Sequence, residues 1–261
     1  MATPADWLVP DWPAPPNVRA LCSARSGGVS LPPYDSLNLG THVGDAPAAV
    51  QANRGVYANA LGARPVFLDQ VHGQDCIAIT SATADGARAD GCVTTERGLA
   101  CTMMVADCLP VLLCDDYGRA VAAAHAGWRG LAGQGGQGIL ESVFKSFQAV
   151  APGESACRAS KTIAWLGPCI GPQAFEVGPE VKAAFVAHDA QAAALFRPLA
   201  GGKFLADLPG LARLRLAALG VSQVYGNDGS RAWCTVVNPS RFFSHRRDRV
   251  SGRLAVSVWL A

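Results

Sequence analysis

Charge is scarce in this chain and nowhere concentrated. Only 16% of its 261 residues are Asp, Glu, Lys or Arg, and they nearly cancel to a formal net charge of +2. Binding to a nucleic-acid backbone or an anionic membrane needs clustered Lys and Arg, so neither partner is indicated. Long apolar runs are missing too. The most apolar stretch, Leu99 to Cys114, is broken by Asp107 and Pro110 and is shorter than the roughly 20 residues that span a bilayer. The opening segment MATPADWLVPDWPAPP has neither a basic start nor an unbroken apolar core, which argues against a leader and for a cytoplasmic protein. Cysteine lacks a framework: nine residues, an odd number, stand at irregular spacings in a chain larger than disulfide-dependent domains. Reduced thiols in apolar surroundings are expected.

What remains is a chain that is half apolar and long enough to bury a substantial core. Five prolines and two tryptophans in the first 17 residues predict an irregular arm over residues 1–17, anchored by its tryptophans and followed by one domain over residues 18–261. An extended run from Val18 to Arg25 leads into SGGVSLPPYDSLNLGTHVGD, a loop long enough to imply a functional role. A helix is predicted from Pro47 to Leu61, stopped by Gly62. Short strands rich in Val, Ile and Thr follow at Val66–Val71, Cys76–Ile79, Gly91–Thr95, Cys101–Val105, Val111–Cys114 and Ala120–Ala124. Helices are predicted at Gly138–Ala149, Pro179–Ala187 and Leu208–Leu219, with strands at Ile163–Leu166, Val221–Tyr225 and Leu254–Trp259. The order gives a mixed α/β (α+β) layered domain, expected to be a monomer.

Three segments carry metal-competent side chains at strand-to-turn junctions: QVHG with His72, ADCLP with Cys108 and HAGWRG with His125. Two imidazoles and a thiolate suit zinc, and three protein ligands leave a fourth position open, as catalytic sites require. The three lie too far apart in sequence for a locally stapled finger, so the fold must assemble them. Taken singly, Cys108 reads as a buried hydrophobe and His125 as a core histidine; together with His72 they read as a site. Asp107, a carboxylate inside an apolar stretch, is costly unless paired; it can orient a ligand histidine or act as general base.

Around these stand candidate substrate contacts. Arg25 and Arg129 are candidates for phosphate, since the guanidinium fork suits that anion; Asn38 for sugar or base; and Phe175, in LGPCIGPQAFEVG, for stacking on a planar ligand or for the core. His42 and His245 sit in unusual polar segments, whereas His188 reads as inert. Arg247 is a further candidate contact, although Arg246, Arg247 and Arg249 read mostly as ion-pair formers, Arg247 with Asp248 or Asp35.

Together ARSGGVSLPPYDSLNLGTHVGD, DQVHG, VADCLPVLL, AAHAGWRG, LGPCIGPQAFEVG and RFFSHRRD resemble the family variously described as laccase-domain or polyphenol-oxidase-like proteins, peptidoglycan editing factors and purine nucleoside phosphorylases. The resemblance implies a single-domain four-layer α/β/β/α sandwich with zinc held by His72, Cys108 and His125. It also implies phosphorolysis of adenosine, inosine and methylthioadenosine, with adenosine deamination, so that the partners are purine nucleosides and phosphate. Multicopper oxidation needs more imidazole than five histidines supply. A single copper remains an alternative, because His₂Cys with an axial methionine is a blue-copper pattern and Met103 and Met104 lie near Cys108; no histidine follows Cys108 closely, which argues against it. A metal-free hydrolase acting on cell-wall precursors, with Cys108 as nucleophile and His125 or His72 as base, is the other reading.

Overall fold

The computed structural model describes residues 4–150 and 159–261. Helix α1 (Pro47–Leu61) begins with Pro47 in its first turn and ends at Gly62, whose φ of 63° gives the left-handed cap. It buries Val50, Asn53, Tyr57 and Leu61, spaced three or four apart along one face. That face covers a four-stranded sheet in the order β1 (Val18–Cys22), β13 (Leu254–Leu260), β5 (Leu99–Val105) and β2 (Arg64–Phe67). Behind it lies a six-stranded sheet in the order β12 (Gln223–Gly226), β8 (Thr162–Leu166), β6 (Leu109–Asp115), β7 (Val121–Ala126), β4 (Gly91–Thr94) and β3 (Cys76–Ala78). Its far face carries α3 (Ile139–Val150), on which α5 (Leu208–Ala218) packs.

Strand alternation builds the layers. On β13, Leu254, Val256, Val258 and Leu260 enter the core between the sheets, while Ala255 and Trp259 face α1. On β7, Val121 and Ala123 face the other sheet, whereas Ala122, Ala124 and Ala126 meet the helices. Both faces of both sheets are therefore covered, and β5, β6, β7 and β13 are buried along their whole length. The alanines of β7 let α3 come close: a Cβ on Gly91 of the neighbouring strand would lie 2.3 Å from Val143 of that helix. The four-layer α/β/β/α sandwich implied by the resemblance is the observed architecture. A third, small sheet, ordered β10 (Phe196–Pro198), β11 (Phe204–Ala206) and β9 (Glu176–Val177), lies beside α4 (Pro179–Val186).

Three departures from the sequence reading have physical causes. The strand expected at Val66–Val71 stops at Phe67, and the side-chain amide of Gln70 takes over its pairing, donating to Met104 O at 2.9 Å and accepting from Met104 N–H at 2.8 Å. The strands of the small sheet are two or three residues long, too short for periodicity to register. The turns of helix at α2 (Trp128–Ala132) and α6 (His245–Asp248) are equally short. In the N-terminal segment, residues 1–3 lie outside the described residues; from Pro4 to Asn17 there is one bridge, Leu8 to Cys22, and Trp7 is buried against Tyr57 with ring centroids 5.5 Å apart.

Between α3 and α5 the nearly buried Arg215 guanidinium meets Glu141 at 2.8 and 2.9 Å and donates to Gly136 O at 2.7 Å. Replacing Arg215 with Leu strands the Glu141 carboxylate. The expected cost is about 3–5 kcal/mol, read as a fall in the urea midpoint at unchanged slope.

Candidate metal centre and its cavity

His125 occupies the end of β7, on the face that the alternation of Val121 and Ala123 turns toward the other sheet. Cys108 ends the three-residue passage, Ala106 to Cys108, by which the chain leaves β5 in one sheet and enters β6 in the other. His72 follows β2, in a turn where its φ is 60°. The three ligand atoms lie within 4.8 Å of one another. Cys108 Sγ is 3.6 Å from His72 Nε2, and the two imidazole rings meet edge to face with centroids 4.7 Å apart.

Asp90, fully buried just before β4, arranges this cluster. Its Oδ1 accepts from His125 Nδ1 at 2.8 Å and from the His72 N–H at 2.9 Å; its Oδ2 accepts from Val71 N–H at 3.1 Å and Gly73 N–H at 2.7 Å. Its carbonyl accepts from the His125 N–H. A carboxylate only accepts, so the His125 proton sits on Nδ1 and Nε2 is left for a ligand. The orienting carboxylate is therefore Asp90, a correction to the role weighed for Asp107, whose oxygens accept from Thr235 Oγ1 and the Arg246 N–H, both at 2.6 Å. Asp90 stands in GARADGCVTT, between Arg88 and Gly91, so the cue that singled out Asp107, a carboxylate inside an apolar stretch, was absent there.

The glycines of HAGWRG are explained by close approach. A Cβ on Gly127 would lie 2.9 Å from His72 Cδ2 and 3.0 Å from Cys108 Sγ, and one on Gly130 would lie 2.6 Å from Gly73 O. Burial alone would raise the Cys108 thiol, but the His125 and His72 imidazoles outweigh it and hold the thiol down at about 6. Burial likewise opposes charge on His125, while Cys108 and Asp90 lift it to about 9. Asp90 stays below the ordinary carboxylate range, because the His125 and backbone bonds outweigh its burial.

The donor set fits zinc. Bond lengths of about 2.0–2.1 Å to nitrogen and 2.3 Å to sulfur place tetrahedral ligand atoms roughly 3.3–3.8 Å apart, a range that includes the 3.6 Å between Cys108 Sγ and His72 Nε2. The open side faces a cavity of about 390 Å³, within the usual range for small-molecule sites. Asp107, Arg129, Phe175 and His245 line this cavity, as does His42. Residues the sequence reading missed also line it, Gln70, Trp128 and Arg253, and so do Arg246 and Arg249, expected as ion-pair formers but without a side-chain ion pair among the described residues. Three proposed contacts lie elsewhere. Arg25 is spent on Asp35 and Asp248 and lies over the Phe243 ring. Asn38, fully buried, bonds Gly40, Asp45 and the Arg253 N–H. Arg247 binds Asp248 and the carbonyls of Thr235, Val236 and Phe242. All three hold loops together around the cavity. Of the residues weighed for copper, Met103 is fully buried in the core, and the Met104 sulfur accepts from Arg54 at 3.7 Å.

The sequence signature of a family described as multi-copper polyphenol oxidoreductase laccase matches residues 19–261. The chain belongs to this family. Within this laccase-like family, the chain is 50% identical over 258 residues to a protein of Pseudomonas aeruginosa named purine nucleoside phosphorylase, covering 97% of this chain and 98% of that one. An Escherichia coli protein, purine nucleoside phosphorylase YfiH, is 49% identical over 255 residues at the same coverage. Among solved structures, a Neisseria meningitidis protein superposes with a TM-score of 0.89 at 45% identity, covering 98% of this chain and 99% of that one. A hypothetical protein of Bacillus licheniformis gives 0.83 at 30% identity, with 94% and 93% covered. The laccase-like name is not matched by the donors: of five histidines, two join the one cluster of metal-competent groups found among the described residues.

Two predictions follow from Asp90 and Cys108. Asp90→Asn frees the His125 ring and is expected to weaken zinc binding about 10- to 100-fold, measured by competition with a chromophoric chelator. The second concerns pH. Cys108 is depressed from 9.0 to about 6, so its deprotonation favours the fold above the unfolded value, and that contribution is lost as pH falls through about 6. Iodoacetamide labelling of Cys108 in chelator-treated protein, followed by peptide mass spectrometry, should reach half its plateau rate near pH 6 instead of near pH 9.

Proposed function

We propose that this chain is a zinc-dependent purine nucleoside phosphorylase acting on adenosine, inosine and methylthioadenosine, with adenosine deamination as a second activity. The observation that carries the reading is the His72, Cys108 and His125 cluster opening onto a cavity rich in arginine. The names of the Pseudomonas aeruginosa and Escherichia coli relatives support it.

Phosphorolysis joins a phosphate oxygen to the anomeric carbon of the ribose as the bond from that carbon to the purine nitrogen breaks. The electron pair leaves with the purine, which takes up a proton. Cations that hold phosphate where charge shifts in the transition state supply much of the acceleration, and Arg129, Arg246, Arg249 and Arg253 all line the cavity. Phe175 offers an aromatic face for the base, with the Arg246 guanidinium 5.6 Å from its ring centroid. Asp107 is fixed through both oxygens and borders the cavity, placed to accept a proton. Zinc, when bound, supplies Lewis acidity and brings the pKa of water toward about 7. In deamination, water adds at the amine-bearing carbon of adenine and ammonia leaves; Asp107 takes the proton from water and returns it to the departing nitrogen.

The same geometry favours one competing reading. The depressed Cys108 thiol beside a charged His125 is also the pair a cysteine hydrolase uses. Chelation separates the two, since it abolishes the phosphorylase and spares the hydrolase.

Purified protein should carry about one zinc per chain by elemental mass spectrometry and release adenine from adenosine only with phosphate. Cys108→Ala should lose both the metal and the adenine release. Full adenine release by that variant, or by chelated protein, would sink the reading.

A further inference from the structure

Several arginines that leave solvent are matched by carboxylates. Arg54 meets Asp85, Arg215 meets Glu141, Arg25 meets Asp35, and Arg247 meets Asp248. Arg213 and Arg253 are not so matched: Arg213 donates to the carbonyls of Val224 and Asn227, and of the two Arg253 alone lines the cavity. It is half-buried, and its side chain bonds only carbonyls among the described residues: Nη1 donates to Ser251 O at 2.8 Å and to Gly252 O at 3.1 Å. Its stem packs on Gly40, where a Cβ would lie 2.7 Å from Arg253 Cγ, and its backbone N–H donates to Asn38 Oδ1 at 2.9 Å. The guanidinium is thus fixed by one corner on the wall of the cavity that also holds Cys108, Asp107 and His42.

A desolvated cation without a counter-ion is costly. Burial pulls the Arg253 guanidinium below its ordinary range, and the fields of Cys108 and Asp107 only partly offset this. Asp107 already accepts from Thr235 and Arg246, and a thiolate that holds zinc gives up its charge to the metal. An anion entering the cavity supplies what Arg253 lacks. Two other cavity arginines, Arg129 and Arg249, make no side-chain ion pair or hydrogen bond among the described residues. Arg249 also holds a φ of 63°. The other non-glycine residues with positive φ, His72 and Asp107, line this cavity too, and such strain collects at functional sites.

We propose that Arg253 anchors the phosphate co-substrate through its Nε and Nη2 edge, with Arg129 and Arg249 supplying further charge. The fork of that edge matches two phosphate oxygens. This assignment rests on the phosphorolysis reading of the cavity, and the test separates the two.

Inorganic phosphate is titrated calorimetrically into the zinc-loaded full chain and into Arg253→Met and Arg253→Lys, alongside steady-state phosphorolysis of adenosine. Arg253→Met should weaken phosphate binding, and raise the KM for phosphate, by about 10- to 100-fold, with the KM for adenosine nearly unchanged. Arg253→Lys keeps the charge and stem but not the fork, so it should fall between the two; it also carries the test if the Met variant fails to fold, as judged by circular dichroism. Equal phosphate affinity in wild type and Arg253→Lys, or a KM for phosphate unmoved in a folded Met variant, overturns the assignment while leaving phosphorolysis standing. Phosphate binding that depends on Arg253 without any adenine release supports the anion site and overturns the phosphorylase reading.

Discussion

One buried carboxylate, Asp90, holds the two sheets in register at the end where the cavity opens. It stands at the start of a strand in the six-stranded sheet, clasps three successive backbone N–H groups in the turn that leaves the four-stranded sheet, and grips His125 on the neighbouring strand. A charge in the interior is tolerated only when its hydrogen-bonding capacity is filled, and here it is filled entirely by the elements that must converge. The turn it clasps holds His72 in its left-handed conformation, and that turn in turn demands glycine at 127 and 130. The cluster is thus built from the second rank outward: the carboxylate sets the turn, the turn sets one imidazole, and the same carboxylate sets the tautomer of the other.

Loading zinc onto such a cluster moves protons. The metal-free arrangement pairs a thiolate with a charged His125, whereas a metal takes a thiolate and neutral imidazoles. The proton must leave His125 Nε2, because Nδ1 is committed to Asp90. The Asp90 carboxylate keeps that imidazole electron-rich in both states, which links metal affinity to a residue that touches no metal.

The sequence announced the regular elements well where they are long or sharply bounded. Helix α1 agrees with the reading at both ends, because Pro47 and Gly62 punctuate it, and the buried strands around Cys108 stand out as apolar runs. His72, Cys108 and His125 were visible because each sits in a short segment of unusual composition. Asp90 and Arg253 were not, since what distinguishes them is a set of partners far away in sequence. Arg25, Asn38 and Arg247 show the opposite error. Arg25 and Asn38 at the glycine-rich loop and Arg247 in the segment after Phe243 read as ligand contacts, yet their bonds are satisfied by the protein itself, and Arg25 pins the loop to that segment through Asp248 and the Phe243 ring. The small sheet escaped because strands of two or three residues carry no period.

The three-residue passage from β5 to β6 has a consequence for how this protein can change over generations. Ala106, Asp107 and Cys108 cross from one sheet to the other with both flanking strands buried along their length, so an insertion or deletion there would slip the pairing of two sheets at once. The loop around Tyr34 and the segment between α4 and β11 lie outside both large sheets, so added length there leaves their pairing intact. The crossing keeps its length, so the spacing between the Asp107 carboxylate and the Cys108 thiol stays fixed whatever side chains are substituted there.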